Sequence, residues 1–162
     1  MRTKLFIIIL AITGTIFSQD INSPAPDFSG KDLNNNIVKL SNLKGKVILL
    51  DFWASWCIPC KKSLPYFINY YNENKDTNFV ILAVNVDTDP DNFKNFRNKL
   101  DQDFPFIVVL DSDNKIISKY NIDALPTTIF IDKKGNINKI SVGFTDDSKK
   151  EYSEEIDKLL KE

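Results

Sequence analysis

Two cysteines, Cys57 and Cys60, are the residues whose type and spacing point most directly to chemistry. They are the only cysteines among 162 residues, and they come shortly after the apolar run of residues 47–50. The pattern predicts a buried strand followed by a helix, which places the Cys57 sulfur near the unpaired N–H groups of a helix N-terminus. Such a position favours the reactive thiolate. An inert structural bridge and a metal-binding pair are the alternatives, although so short a loop gives a bridge little stabilising effect.

Asp51 is the second candidate for chemistry, because it interrupts an otherwise apolar stretch that continues to Phe52 and Trp53. A carboxyl group inside such a strand is expected to be desolvated, which raises its pKa. Asp51 is therefore a candidate proton acceptor for Cys60. The alternative is an ordinary aspartate at a solvated sheet edge.

Composition excludes several other kinds of site. The sequence contains no histidine, which removes imidazole-based catalysis and imidazole ligation of zinc, copper or haem. Two cysteines cannot complete a structural zinc site, so we expect neither a metal nor a cofactor beyond the cysteine pair itself. Basic residues are scattered among acidic ones, so no basic face is predicted and nucleic acid is an unexpected partner.

The N-terminus has the pattern of an export signal. Arg2 and Lys4 precede an apolar run that is short for a membrane span, and small and polar residues follow. We predict a signal peptide over residues 1–18, cleaved near Ser18 or Gln19, with an uncleaved anchor as the alternative. Removing it leaves 19 basic residues against 22 acidic ones, a net charge of −3. A proline-rich linker over residues 19–26 and one domain over residues 27–162 follow.

The hydrophobic pattern predicts an α/β domain. A hairpin is expected near residues 28–40, and a last helix is expected to begin around Ser148, which has capping-box spacing with Glu151. Helices are also expected at 57–74, from Asp89-Pro90 through Leu100, and at 116–120. Strands are predicted at 47–53, 78–86, 106–110, 127–132 and 137–142.

The sequence resembles the thioredoxin superfamily over nearly its whole length after the signal. The resemblance is carried by Asp-Phe-Trp-Ala-Ser-Trp-Cys-Ile-Pro-Cys at residues 51–60, by Leu-Pro-Thr-Thr at 125–128, and by Gly-Phe at 143–144. Ala-Pro-Asp-Phe at 25–28, Lys-Lys-Ser-Leu-Pro at 61–65 and an added strand and helix between 86 and 116 are similar to the exported TlpA/ResA branch. The implied structure is a thioredoxin fold, in which a central mixed sheet has helices on both faces.

The resemblance implies a role for each cysteine. Cys57 is the implied nucleophile and is expected to face solvent, whereas Cys60 is the resolving thiol, buried beneath it. Asp51 matches the buried aspartate of thioredoxins. Ala83 stands where cytosolic thioredoxins carry a lysine partner, and Ser63 stands where ResA-type proteins have a glutamate. We therefore expect Asp51 to perform both acid–base tasks.

Further residues are implied to bind substrate. Pro126 is the implied cis-proline, and the backbone of Leu125 is expected to hold an extended client chain. Trp56 is expected to pack around the cysteine pair together with Trp53, for which an ordinary core aromatic is the alternative. Pro59 lies between the cysteines, where a proline also suits the first helical turn. Gly143 is expected to allow its loop to approach the site, with an ordinary turn glycine as the alternative.

The resemblance implies an exported thiol-disulfide oxidoreductase in the periplasm or cell envelope. It would act as a monomer, reduce disulfides of client proteins, and receive electrons from a membrane thiol donor. Cytochrome c maturation is one pathway it would fit. A thiol peroxidase is one alternative, although Ala54 lacks the hydroxyl such enzymes place there and Arg97 is remote in sequence. A non-catalytic binding module with an idle disulfide is the other.

Overall fold

The computed structural model describes residues 20–75 and 78–162, so the predicted signal peptide lies outside the described residues. The predicted elements are present, with their ends moved by a few residues. The strands are β1 (Ser29–Lys31), β2 (Ile37–Lys39), β3 (Val47–Trp53), β4 (Phe79–Asn85), β5 (Ile107–Leu110), β6 (Thr127–Ile131) and β7 (Ile137–Val142). The helices are α1 (Cys60–Glu73), α2 (Pro90–Arg97), α3 (Lys115–Lys119) and α4 (Asp146–Lys161), and a 3₁₀ turn covers Leu40–Leu43.

The main sheet has five strands in the order β5-β4-β3-β6-β7. β3 pairs in parallel with β4, and β4 in parallel with β5. β6 runs antiparallel to β3, and β7 antiparallel to β6. β3 is therefore the central strand, and all seven of its residues are buried. The predicted mixed sheet is confirmed.

Helices cover both faces of this sheet. Successive β3 side chains point to opposite faces, so the contacts of two adjacent β3 residues show what covers each face. On one side Trp53 contacts Phe96 of α2, with ring centroids 5.3 Å apart. On the other side Phe52 contacts Tyr120 at the end of α3, with centroids 5.2 Å apart. Asp51 has the parity of Trp53 and so faces the side that α1, α2 and α4 cover.

The N-terminal hairpin is confirmed, since β1 and β2 pair antiparallel with Gly30 opposite Val38. The lead that precedes the hairpin is also attached to the domain. Asn22 N–H donates to the Ile137 carbonyl at 2.6 Å, and Ile137 N–H donates to the Ser23 carbonyl at 2.8 Å. These bonds hold the lead against the first residue of β7.

The start of α4 and the end of α2 differ from the predictions. α4 begins at Asp146, because the capping box is formed by Thr145 and Ser148 rather than by Ser148 and Glu151. A serine thus takes the third helical position, where the sequence rule expects Glu or Gln, so the rule did not indicate this earlier pair. α2 ends at Arg97, so Leu100 lies beyond it. None of the helices in the described part of the chain is long and apolar enough to cross a membrane.

Candidate active site

The two cysteines form a disulfide at the junction between β3 and α1. Their sulfur atoms are 2.04 Å apart, and their Cα atoms are 5.3 Å apart. The central strand leads directly into this junction, so the rigid part of the sheet determines where the sulfur atoms lie. The cysteine pair is thus located where the sequence predicted it.

α1 begins at Cys60, three residues later than predicted, because the preceding residues form a turn. The Cys57 N–H donates to the Ala54 carbonyl at 3.1 Å, and Pro59 is the N-cap residue rather than part of the first helical turn. The expected contact between Cys57 and a helix-terminal N–H group is nevertheless present. Cys60 N–H donates to Cys57 Sγ at 3.2 Å, which favours a thiolate on Cys57 once the disulfide is reduced.

The prediction that Cys57 faces solvent is wrong. Cys57 is only 4% exposed, and Cys60 is completely buried. The flanking residues Trp56 and Ile58 are instead exposed, at 63% and 72%. The side chains on either side of Cys57 in the sequence are therefore exposed and apolar, while Cys57 itself is nearly covered.

Asp51 is completely buried, as predicted. Thr128 Oγ1 donates a hydrogen bond to Asp51 Oδ1 at 2.7 Å, whereas Oδ2 has no hydrogen-bond partner in the described structure. Burial raises the pKa of Asp51 to about 8, and the bond from Thr128 lowers it by less. The carboxyl group can therefore exist protonated or ionised close to neutral pH, as an acid–base group requires.

The two positions where the resemblance implies a charged residue in related proteins carry none here. In the parallel pair of β3 and β4, Ala83 is the register partner of Asp51 and brings only a methyl group. Ser63 is fully buried on α1, and its hydroxyl donates to the Cys60 carbonyl at 3.2 Å. Its hydroxyl is thus engaged with the helix backbone.

The loop before β6 has the expected conformation. The Leu125-Pro126 peptide bond is cis, as the resemblance implies. The Gly143 N–H donates to the Pro126 carbonyl at 2.8 Å, so the loop after β7 is joined to the cis-proline loop. Gly143 has φ of +81°, and a Cβ built there would meet nothing within 4 Å. Its left-handed backbone, rather than close approach, explains the glycine.

The two tryptophans have different surroundings. Trp53 is fully buried and packs against Phe93, with ring centroids 6.1 Å apart, so it is a core residue on the α2 side. Trp56 borders a surface groove of about 390 Å³ that Leu125 and Ile122 also line. The structure thus brings together two of the residues that the resemblance implied in substrate binding.

Sequence reasoning missed Asp87, which holds the loop that leads to Cys57. Asp87 is 3% exposed and lies just beyond the end of β4. Its carboxylate accepts the Ser55 N–H at 3.1 Å and the Ser55 hydroxyl at 3.0 Å. It also accepts the side-chain amide of Asn85 at 2.8 Å. The sequence signal that could have identified Asp87 is an aspartate placed directly after a buried strand.

Reasoning from sequence also missed the contacts of Thr128. The residue belongs to the Leu-Pro-Thr-Thr motif, but the motif alone indicates no partner for its hydroxyl. It lies opposite Asp51 in the β3–β6 register, and the hydroxyl of Tyr152 is 3.3 Å from Thr128 Oγ1. Among the described residues, no group of three or more cysteine or acidic side chains could hold a metal ion.

Comparisons with known proteins agree with this geometry. A family model described as the AhpC/TSA family matches residues 21–140. The thiol-disulfide oxidoreductase ResA of Bacillus subtilis (strain 168) is 37% identical over 152 residues, which are 88% of this chain and 84% of that protein.

Two solved structures share the fold. One, described as the thiol:disulfide interchange protein DsbE from Chlorobium tepidum, has a TM-score of 0.82 at 32% identity and covers 88% of this chain and 99% of its own. The other is the pneumococcal exposed lipoprotein thioredoxin from Streptococcus pneumoniae strain TIGR4. Its TM-score is 0.71 at 31% identity, and it covers 83% of this chain and 100% of its own. Taken with the cysteine pair at the end of the central strand, these matches show that the chain belongs to the AhpC/TSA family and is a thiol-disulfide oxidoreductase with the thioredoxin fold.

Proposed function

We propose that this oxidoreductase is exported and reduces disulfides in client proteins through Cys57 and Cys60. The observation that carries the proposal is the placement of the pair, with a helix N–H on Cys57 Sγ and a carboxyl group of raised pKa on the strand that leads to it. The absence of histidine supports the reducing direction. No imidazolium is available to lower the pKa of the Cys57 thiol, and a strongly lowered thiol pKa makes a couple more oxidising.

The reaction begins with the reduced protein. The Cys57 thiolate attacks one sulfur of a client disulfide, a mixed disulfide forms, and the second client sulfur leaves as a thiolate. Cys60 then loses its proton to the Asp51 carboxylate and attacks Cys57 Sγ. The Cys57–Cys60 bond forms, and the first client sulfur leaves as a thiolate. The client disulfide has gained two electrons, and the protein has lost two.

The client binds beside Trp56, where the groove that includes Leu125 begins. Leu125 directly precedes the cis-proline, and its backbone holds the client as an added extended strand. The exposed side chains of Trp56 and Ile58 supply apolar contact around the nearly buried Cys57. Recognition then depends on an exposed, extended client segment rather than on a deep pocket.

The protein acts in the periplasm or cell envelope, either free or tethered to the membrane. The N-terminal pattern of residues 1–18 supports export, as does the relative described as an exposed lipoprotein. A reductase outside the cytosol needs an electron source, and a membrane thiol donor would restore the dithiol after each turnover. Haem-attachment cysteines of apocytochrome c are one set of clients that this chemistry serves.

The direct test is a Cys60→Ala variant, which retains the nucleophile and lacks the resolving thiol. Incubated with a peptide disulfide, it should accumulate a mixed disulfide through Cys57, detected as a mass increase that a reductant removes. The Cys57→Ala variant is the matched control and should form far less adduct. Equal trapping by both variants would contradict the assignment of the nucleophile. Consumption of peroxide by the wild type without reduction of insulin disulfides would favour the thiol peroxidase instead.

A further inference from the structure

The Asp51 carboxyl group is too deeply buried to exchange a proton directly with solvent. It is completely buried in the central strand, and among the described residues Thr128 is the hydrogen-bond partner of its carboxyl group. Thr128 itself is 1% exposed. The carboxyl group can exchange a proton with Cys60 during turnover, but its equilibration with bulk solvent needs a separate route to the surface.

The sheet register supplies a row of polar side chains that leads outward. Asp51 on β3 pairs with Thr128 on β6, and Thr128 pairs with Ser141 on β7, the edge strand. Register partners lie on the same face of a sheet, so these three residues form one row from the centre to the edge. Ser141 is only partly buried.

Tyr152 of α4 connects the members of this row. Its hydroxyl is 3.3 Å from Thr128 Oγ1 and 3.1 Å from Ser141 Oγ. The Gly143 carbonyl, at 3.4 Å, is a further acceptor for the same hydroxyl. The tyrosine ring is fixed by packing on Phe130, with centroids 5.1 Å apart. The result is an unbroken series of hydroxyl groups between the buried carboxyl and the edge of the sheet.

We propose that Thr128, Tyr152 and Ser141 form a proton relay that connects Asp51 with solvent. The inference rests on the proposed role of Asp51 as the acid–base group for Cys60. When Asp51 is protonated, it donates to Thr128, Thr128 to Tyr152, and Tyr152 to Ser141. Each hydroxyl then passes its own proton outward as it receives one from within. One proton reaches solvent from Ser141, Asp51 becomes ionised, and all three hydroxyls remain neutral.

The relay operates through neutral hydroxyl groups rather than through a tyrosinate. Burial raises the pKa of Tyr152, and the negative charges of Asp51 on β3 and Glu151 on α4 raise it further. The bonds to Ser141 and Thr128 act in the opposite direction. Glu151 is itself paired with Lys139 of β7, at 2.6 Å. Tyr66 of α1 is a further titratable side chain that interacts with Tyr152.

The test is the pH dependence of the resolving step in a Tyr152→Phe variant, which keeps the ring and removes the hydroxyl. Below about pH 8, Asp51 must lose a proton before it can accept one from Cys60. We therefore expect disulfide closure, measured in a single turnover with a peptide disulfide, to be slower by roughly tenfold at pH 7. Above pH 9 the variant and wild type should coincide, because Asp51 is then already ionised.

Three further variants separate the possible explanations. Tyr66→Phe is the matched control, since it removes a hydroxyl that donates to the Lys149 carbonyl and leaves the relay intact. It should match wild type at every pH. Ser141→Ala should repeat the defect of Tyr152→Phe, and its position at the partly exposed edge makes it the safer variant for folding. Asp51→Asn should be slow at every pH.

The outcomes distinguish the relay from the function on which it rests. If Asp51→Asn closes its disulfide at the wild-type rate, the acid–base role of Asp51 fails. If Asp51→Asn is slow but Tyr152→Phe and Ser141→Ala are normal at pH 7, the relay alone fails. A Tyr152→Phe defect of equal size at every pH would show a purely structural role and would also overturn the relay. A second readout is the infrared carboxyl signal of Asp51 after a rapid pH change, which the relay variants should delay.

Discussion

At the scale of single residues, the burial of the Asp51 carboxyl group lowers the stability of the fold. Its pKa is raised from 3.8 to about 8, mainly by burial. Between these values the unfolded chain releases a proton that the folded chain retains, so folding becomes less favourable as pH rises. The cost is absent below about pH 4 and complete above about pH 8. At its maximum it is on the order of 5 kcal/mol, from 1.36 kcal/mol per pH unit.

Replacing Asp51 by Asn should therefore stabilise the oxidised protein in a pH-dependent manner. Urea unfolding at pH 5, 7 and 9 should show a gain in the free energy of unfolding that grows with pH and approaches several kcal/mol at pH 9. Asp101→Asn is the control, because Asp101 is exposed on the surface. A gain for Asp51→Asn that does not change with pH would contradict the raised pKa.

At the scale of elements, the loop between β3 and α1 is held by the end of the neighbouring strand. Asp87 accepts two hydrogen bonds from Ser55, two residues before the nucleophile. Asp111 has a comparable role at the end of the next strand, β5, where its carboxylate accepts the N–H groups of Ile116 and Ile117. The two carboxylates are both buried, but only the loop that Asp87 binds leads to Cys57.

These two aspartates provide a matched comparison. Asp87→Ala and Asp111→Ala should each destabilise the protein by about 2 kcal/mol, because each leaves buried donors without an acceptor. Only Asp87→Ala should also change the alkylation rate of Cys57 in the reduced protein, by several-fold, since only that variant frees the loop before Cys57. Iodoacetamide trapping followed by mass spectrometry measures the rate. The same rate in both variants would contradict a positioning role for Asp87.

The features of the site that sequence reasoning found are those that local patterns determine. The burial of Asp51 was predicted from the apolar residues on both sides of it. The location of the cysteine pair was predicted from the strand pattern that precedes it and the helix pattern that follows. The partner of Asp51 could not be found in this way, because Thr128 is 77 residues distant and only the β3–β6 register brings it close. The burial of Cys57 depends on how the turn before α1 packs, which no periodic pattern encodes.

At the scale of the whole molecule, the N-terminal lead and the disulfide lie at opposite ends of the sheet. The lead pairs with Ile137, whose partner on β6 is Ile131, which in turn pairs with Ile48 near the start of β3. Cys57 follows the other end of β3. The disulfide therefore lies at the end of the sheet remote from the point where the lead joins the domain.

Removing the lead should lower stability and leave the chemistry intact. A chain that begins at Asp27, compared with one that begins at Asp20, loses three backbone hydrogen bonds to residues 135–137. It also loses the Pro26 carbonyl that accepts the Tyr120 hydroxyl at 2.7 Å. We expect a loss of roughly 2–3 kcal/mol in urea unfolding with an unchanged rate of insulin reduction. A slower insulin reduction at urea concentrations where the shortened chain is still folded would contradict the claim that the lead does not influence the disulfide.

The measurement that tests the central claim most directly is the reduction potential of the Cys57–Cys60 couple at neutral pH. The protein is equilibrated in thiol–disulfide buffers of known potential, and the reduced fraction is counted by alkylation and mass spectrometry. A reductase of client disulfides should have a potential near or below about −250 mV. A potential above about −180 mV would contradict the account, because the couple would then oxidise clients rather than reduce them.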